Sequence, residues 1–341
     1  MVDIEKTPFV RELASSDKKI RDKATNSLTL FLRSRTDLSL LELLKLWKGL
    51  FFCFYHSDRP LTQQALARDL SYSLVPTLPR STVHRFLRAF WITIGRDFHS
   101  LDRLRLDKYL HLIRCYIGVA FEVFLKNSAN NNSGNSATAA GIRKRKREET
   151  AAAKKRAKSK KRNSSSAKNE PAEEEQQEQQ DEQENETMQT TPGGNHGGKW
   201  SALESYITIL EEGPLCPVNF DPSQPPADEK NDYVPMPHGP DGLRYHVLDI
   251  WVDELEKVLE FDESEEEERS RKPKGDVPVE LLLRPIEKLR KESPYKPVRM
   301  RAAETLEDER LIEWGWRERK NKVESDDEEE SEEEWGGFGD E

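Results

Sequence analysis

Residues 39–55 read SLLELLKLWKGLFFCFY. Ser39 can cap a helix, and the run behind it is apolar on nearly every face. A helix on a protein surface keeps one polar side, whereas a helix apolar all round belongs between neighbours. Its longest unbroken apolar run, LFFCFY at 50–55, is far too short to cross a bilayer. The segment therefore predicts a helix inside a stack of helices.

The flanking chain supplies the neighbours. Pro8 suits the first turn of a short helix through Leu13. Ser16 can cap a second helix, on which Ile20, Ala24, Leu28, Phe31 and Leu32 share a face. A fourth starts near Leu61 and is ended by Pro76 and Pro79. Ser81 can cap a fifth through Phe98, and a sixth runs from near Asp102 to Lys126. Loops are short and no alternating strand pattern intervenes. The expected fold class is all-α. Residues 1–126 form an α-solenoid-like (HEAT/armadillo-like) stack or an irregular bundle, without a clear sequence repeat.

The rest of the chain is different in kind. Hydrophobic residues make up 35% of the 341, charged residues also 35%, and mean hydropathy is −0.86, too polar to bury a core along the whole length. Residues 127–198, Asn/Ser-rich, then basic, then acidic, are expected to be a disordered linker. Residues 199–312 return to helical patterns: WSALESYITIL at 200–210, then GLRYHVLDIWVDELEKVLEF at 242–261. In the latter Leu248, Trp251, Val252, Leu255 and Leu259 make a stripe. PVELLLRPIEKLRK at 278–291 is amphipathic and is expected to be kinked or broken at Pro285. These helices are too few for a core of their own, so they pack on the N-terminal stack or on a partner protein. Residues 313–341 are expected to be a disordered acidic tail, or to carry a docking motif at Trp335 and Phe338.

No catalytic pattern is present. There is no Gly-rich phosphate loop, nucleophile elbow or metal-spaced His pair, so no enzyme activity, cofactor or metal is expected. His84, His99 and His111 lie near Asp97 and Asp107 in sequence, but as ordinary surface or packing residues; His56 and Asp58 read as capping and turn residues. Cys53, Cys115 and Cys216 are too scattered for a disulfide framework and read as reduced intracellular thiols. With no apolar signal core at the N-terminus, the chain reads as soluble and intracellular, with no membrane partner.

Charge is strongly segregated. The net charge of −10 hides 21 Lys and Arg against 13 Asp and Glu in residues 1–126, and 12 against 2 in residues 143–162. The remainder holds roughly −28, which points to a polyanionic partner or one carrying both signs. On the fifth helix Val83, Phe86, Phe90, Ile94 and Phe98 gather on one side and Arg85, Arg88 and Arg96 on the other. Arg80, Arg103, Arg105, Lys108 and Arg114 follow nearby. Such a row can be a solvated face, a grip for RNA phosphates, or a site for an acidic protein segment such as the chain's own tail. RKRKREETAAAKKRAKSKKR at 143–162 has the form of a bipartite nuclear import signal. Its first cluster is Arg143, Lys144, Arg145, Lys146 and Arg147. The second is Lys154, Lys155, Arg156, Lys158, Lys160, Lys161 and Arg162. Its partner would be a nuclear import receptor, and the same charges attract RNA. Ser264, Ser325 and Ser331 precede acidic runs as casein-kinase-II-type phosphorylation sites do.

Several stretches together resemble the eukaryotic ribosomal RNA processing protein 1 (Nop52) family. They are PFVRELASSDKKIRDKA (8–24), LKLWKGLFFCFYHSDRPLTQQALA (44–67) and FLRAFWITIGRDFHSLDRLRLDKYLHLIR (86–114), then GLRYHVLDIWVDELEKV (242–258) and LLLRPIEKLRKESPYKPVRMRAAETLEDERL (281–311). The resemblance implies a helical, non-catalytic assembly factor of the large (60S) ribosomal subunit precursor in the nucleolus. Its partners would be precursor rRNA and other assembly factors, and it would support pre-rRNA processing as a scaffold. The alternative from the residues alone is a nuclear helical adaptor in chromatin or transcription that binds proteins and not RNA.

Overall fold

The computed structural model describes residues 8–13, 15–126, 198–219, 221, 223–237, 240–261 and 271–318. The basic run 143–162, the three serines before acidic runs, and Trp335 with Phe338 lie outside the described residues.

The fold is all-α. Its helices are α1 (Pro8–Leu13), α2 (Lys18–Ser34), α3 (Leu40–Tyr55), α4 (Pro60–Arg68), α5 (Arg80–Asp97) and α6 (103–126). They continue with α7 (Ser201–Glu212), α8 (Asp241–Val258), α9 (Val279–Glu292), α10 (Lys296–Leu306) and α11 (Glu309–Glu313). Among the described residues no strand forms; two isolated bridges join Asp228 to Tyr233 and Phe261 to Pro273.

The segment at 39–55 folds as read. Ser39 and Glu42 form a reciprocal capping box, each side chain accepting from the other's backbone N–H. A second carboxylate joins this helix start: Asp232, a loop residue in the left-handed region (φ 50), accepts from the Leu40 N–H at 2.6 Å. Trp47 is 2% exposed and lies between α5 and α6, its ring 5.1 Å from Phe86, 5.0 Å from Phe90 and 5.4 Å from Tyr116. Its Nε1–H donates to the Phe86 carbonyl at 3.1 Å.

Three boundaries depart from the sequence reading. Asp17, not Ser16, caps α2, because its carboxylate accepts from Lys19 N–H. The buried face of α2 is therefore Arg21, Ala24, Thr25, Leu28 and Leu32, with Ile20 41% exposed. Pro79, not Ser81, precedes α5, which starts at Arg80 without a side-chain cap. After α4 the chain passes through a π turn (Asp69–Ser73) and a short 3-10 turn (Val75–Thr77) that contains Pro76. The Tyr116 hydroxyl donates to the Leu70 carbonyl of this π turn at 2.6 Å. Apart from these boundaries, α9 is one helix that runs through Pro285, buried within it, so of the two readings, kinked or broken, the break does not occur.

One continuous core joins both ends of the described chain, from Leu13 to Trp314. Trp251 of α8 meets Phe121 of α6 edge-on at 5.0 Å, and Tyr206 of α7 lies 5.4 Å from Phe124. Leu248, Trp251, Val252 and Leu255 are all buried, so the α8 stripe faces this core. Leu259 lies just past the stripe as the C-cap of α8, partly buried against the same core. Burial continues beyond residue 312, where Trp314 is 2% exposed, its ring tilted against Phe261 at 5.4 Å and edge-on to Trp316 at 5.1 Å.

Candidate functional site

The basic residues chosen from sequence fall into three structural groups. In the first, α5 clamps the Pro-rich loop that leads to α8. Arg85 donates to the Leu38 carbonyl at 2.9 Å and lies 3.5 Å from the Asp232 carboxylate. Arg88 donates to Glu212 at 2.7 Å and to the Val234 carbonyl at 3.2 Å, with Tyr233 under its guanidinium at 5.2 Å. Gly95 permits the loop to lie flat on α5, since a Cβ there would stand 2.7 Å from the Pro237 carbonyl oxygen. An open apolar cleft of about 520 Å³ remains beside this seam, lined by Leu44, Ile92, Arg96, Cys216 and residues 234–237 among others.

The second group closes the end of α3 against the start of α6. Arg105 pairs with Asp102 at 2.6 Å and stacks over the Tyr55 ring at 4.2 Å. Lys108 is 4% exposed and donates to the Tyr55 and Ser57 carbonyls and, at 3.0 Å, to Asp58. Burial lowers the pKa of this ammonium, and the Asp58 carboxylate opposes that shift. Hydrogen bonding from Lys108 in turn holds the Asp58 carboxyl below the usual carboxylate range. His56 is the C-cap of α3.

The third group is the solvent-facing remainder. Arg96 lies alongside Asp97, donating to both carboxylate oxygens at 3.0 Å, and Lys48 reaches the same carboxylate at 3.3 Å. Burial alone would raise the Asp97 carboxyl, but these two cations hold it below the usual range. Arg80 and Arg103 are exposed and have no partner among the described residues. The expected row on α5 is therefore divided. A phosphate reaching Arg85, Arg88, Arg105 or Lys108 must displace an internal acceptor, whereas Arg80 and Arg103 are free to meet one.

Sequence reading missed the acceptors. Glu212, at the end of α7, and Asp232, in the Pro-rich loop, sit more than a hundred residues beyond the arginines they hold, and no local pattern joins them to α5. It also missed a charged network on α8. Arg114 of α6 donates to Glu254 at 2.5 Å and to Asp253 at 2.6 Å, and Arg310 reaches Asp253 and Glu256, each at 3.0 Å. Only Arg114 was visible in sequence, as one more cation near the row.

Two histidines staple the halves together. His84 Nε2 is 2.7 Å from the Ala202 carbonyl, and His246 Nε2 is 2.9 Å from that of Leu110, so each neutral ring donates. Burial depresses both below the ordinary value of 6.5. As pH falls through about 6.5 the unfolded chain takes up these protons before the folded one. Their stabilising contribution is thus full above that point and declines below it, down to the folded values. The urea midpoint is expected to fall between about pH 7.5 and 5.5, and a His84→Gln/His246→Gln protein to show a flatter profile. An unchanged slope in the double variant would show that these stations are not the source.

No group of three or more His, Cys, Asp or Glu side chains among the described residues is arranged to hold a metal ion. Among them, also, no helix is long and apolar enough to cross a membrane.

Comparison with known proteins adds a family. A family model described as "Nucleolar protein, Nop52" matches residues 4–140 and 195–337. Over 125 residues the chain is 40% identical to ribosomal RNA processing protein 1 homolog B of Homo sapiens, covering 35% of this chain and 16% of that protein. Homolog A of Homo sapiens is 36% identical over 120 residues, covering 34% and 26%. The Dictyostelium discoideum homolog is 30% identical over 92 residues, covering 27% and 19%. In these matches the chain spans between 16 and 26% of the relatives' own length.

Proposed function

The chain belongs to the Nop52 family of nucleolar proteins, and from that premise we propose that it is a non-catalytic assembly factor of the large ribosomal subunit precursor. It acts in the nucleolus by holding precursor rRNA and other assembly factors in one arrangement, and so supports pre-rRNA processing. The observation that carries this reading is where the family match falls. It skips residues 141–194 and takes in both regions that contribute to the shared core, together with residues 127–140 and 319–337 outside the described ones, which supports a role for the folded body. The relatives it resembles are named for ribosomal RNA processing. Residues 143–162 supply import, through a nuclear import receptor, and a loose attraction to RNA.

Affinity capture of the tagged full chain from nuclear extract, with and without ribonuclease, tests this. Large-subunit precursor RNA is expected to co-purify, and depletion of the protein to accumulate unprocessed precursor. Recovery of chromatin or transcription proteins without precursor RNA would replace the reading with the adaptor alternative. The internal engagement of Arg85, Arg88 and Lys108 is the observation that favours that alternative.

A further inference from the structure

Among the described residues, a cluster of cations without carboxylate partners lies away from α5. It is the corner between α9 and α10, residues 288–300, KLRKESPYKPVRM. This stretch carries five cations and one carboxylate, Glu292. Lys288 acts on Asp221 across the Pro-rich loop. The others differ. Arg290, Lys291 and Lys296 are exposed and have no carboxylate partner among the described residues. Arg299 donates to the carbonyls of Ser293 at 2.9 Å and Pro294 at 3.0 Å. Those acceptors are neutral, so the guanidinium is held in place with its charge unspent. Tyr295, the residue preceding α10, is 37% exposed among these cations, and Met300 is 53% exposed.

We infer that this corner is an RNA-binding surface, with phosphates on Arg290, Lys291, Lys296 and Arg299 and a base stacked on Tyr295. The inference rests on the proposed contact with precursor rRNA and says where the folded body makes it. Cations interleaved with an exposed aromatic ring match the repeat of a single strand, which offers a charge and a π-face at every nucleotide. The corner is rigid enough to serve. Leu289 and Val298 on either side are fully buried, and the Ser293 backbone N–H closes onto the Leu289 carbonyl. The cations of α5 and of the start of α6 offer the opposite case, since Arg85, Arg88, Arg105 and Lys108 already hold internal acceptors.

The test uses the full chain and a 4-thiouridine-labelled fragment of large-subunit precursor RNA. Photocrosslinked peptides are mapped, and affinity is measured against salt. Crosslinks are expected on the peptide containing Tyr295. Arg290→Glu/Lys291→Glu/Lys296→Glu is expected to lower the salt slope by about 2, at about 0.7 per single-strand phosphate contact. Tyr295→Ala is expected to weaken binding about fivefold or more, and Tyr295→Phe to keep it. The same three-charge reversal at Lys19, Lys23 and Lys230 is the control and is expected to leave affinity within about twofold. Crosslinks confined to 143–162, or equal losses in the control, would overturn the inference while leaving RNA contact intact. Wild-type protein that does not bind the fragment would overturn the RNA contact itself, and this site with it. Unchanged RNA binding with lost binding of a peptide of residues 324–341 would reassign the corner to the acidic tail.

Discussion

Arg114→Ala is expected to destabilise the protein by about 3–5 kcal/mol, read as a fall in the urea midpoint. The reason is what it leaves behind. The Glu254 side chain is 2% exposed and holds two cations, Arg114 at 2.5 Å and Lys257 at 2.6 Å. Lys257 is mostly in solvent, so the guanidinium is the partner that makes burial of this carboxylate tolerable. The surroundings are tight: a Cβ at Gly118 would lie 2.6 Å from Glu254 Oε2 and nearer still to the Tyr72 hydroxyl, leaving little room to rearrange. Arg301 pairs with Asp249 in the open, both side chains about half exposed, and Arg301→Ala is expected to cost no more than about 1 kcal/mol. A second variant separates the charge from the packing. Arg114→Leu/Glu254→Leu removes both ends of the pair and is expected to recover most of the loss. Equal midpoints for Arg114→Ala and Arg301→Ala would refute the account.

The same comparison shows what could be read before folding and what could not. Helices announce themselves through local spacing, so residues 39–55, the α8 stripe and the all-α class were legible in the chain. Caps were legible only when the side chain won against its neighbours. Ser39 did, through Glu42 three residues on, while Ser16 lost to Asp17 one residue later. Ion pairs were the least legible. Arg88 and Arg105 look alike in sequence, yet the first is held by Glu212 and the second by Asp102. Arg105 has its acceptor three residues away, whereas nothing local to Arg88 shows that it will clamp a distant element. The α9–α10 corner was hidden for a related reason. The apolar spacing of α9 marks its buried side, whereas Arg290 and Lys291 are exposed and carry no periodic signal of their own.

The central segment carries the other large effect. Trp47→Ala is expected to cost about 3–5 kcal/mol, because the indole is the piece shared by α3, α5 and α6. Its removal leaves a cavity among Phe86, Phe90 and Tyr116, and the latter two are stacked with ring centres 3.9 Å apart. They cannot both follow the void without parting from each other or from the π turn that Tyr116 holds. Trp47→Phe keeps most of the ring and loses the hydrogen bond to the Phe86 carbonyl, for an expected cost of about 1–2 kcal/mol. Because α5 also carries the clamp on the Pro-rich loop, the damage is expected to reach α8. Amide exchange checks this. In Trp47→Ala the amides of α8 should lose protection together with those of α3 and α5, as one cooperative unit. Loss confined to α3 and α5 would mean that the second half of the chain keeps its fold independently, and that the continuous core is two separable ones.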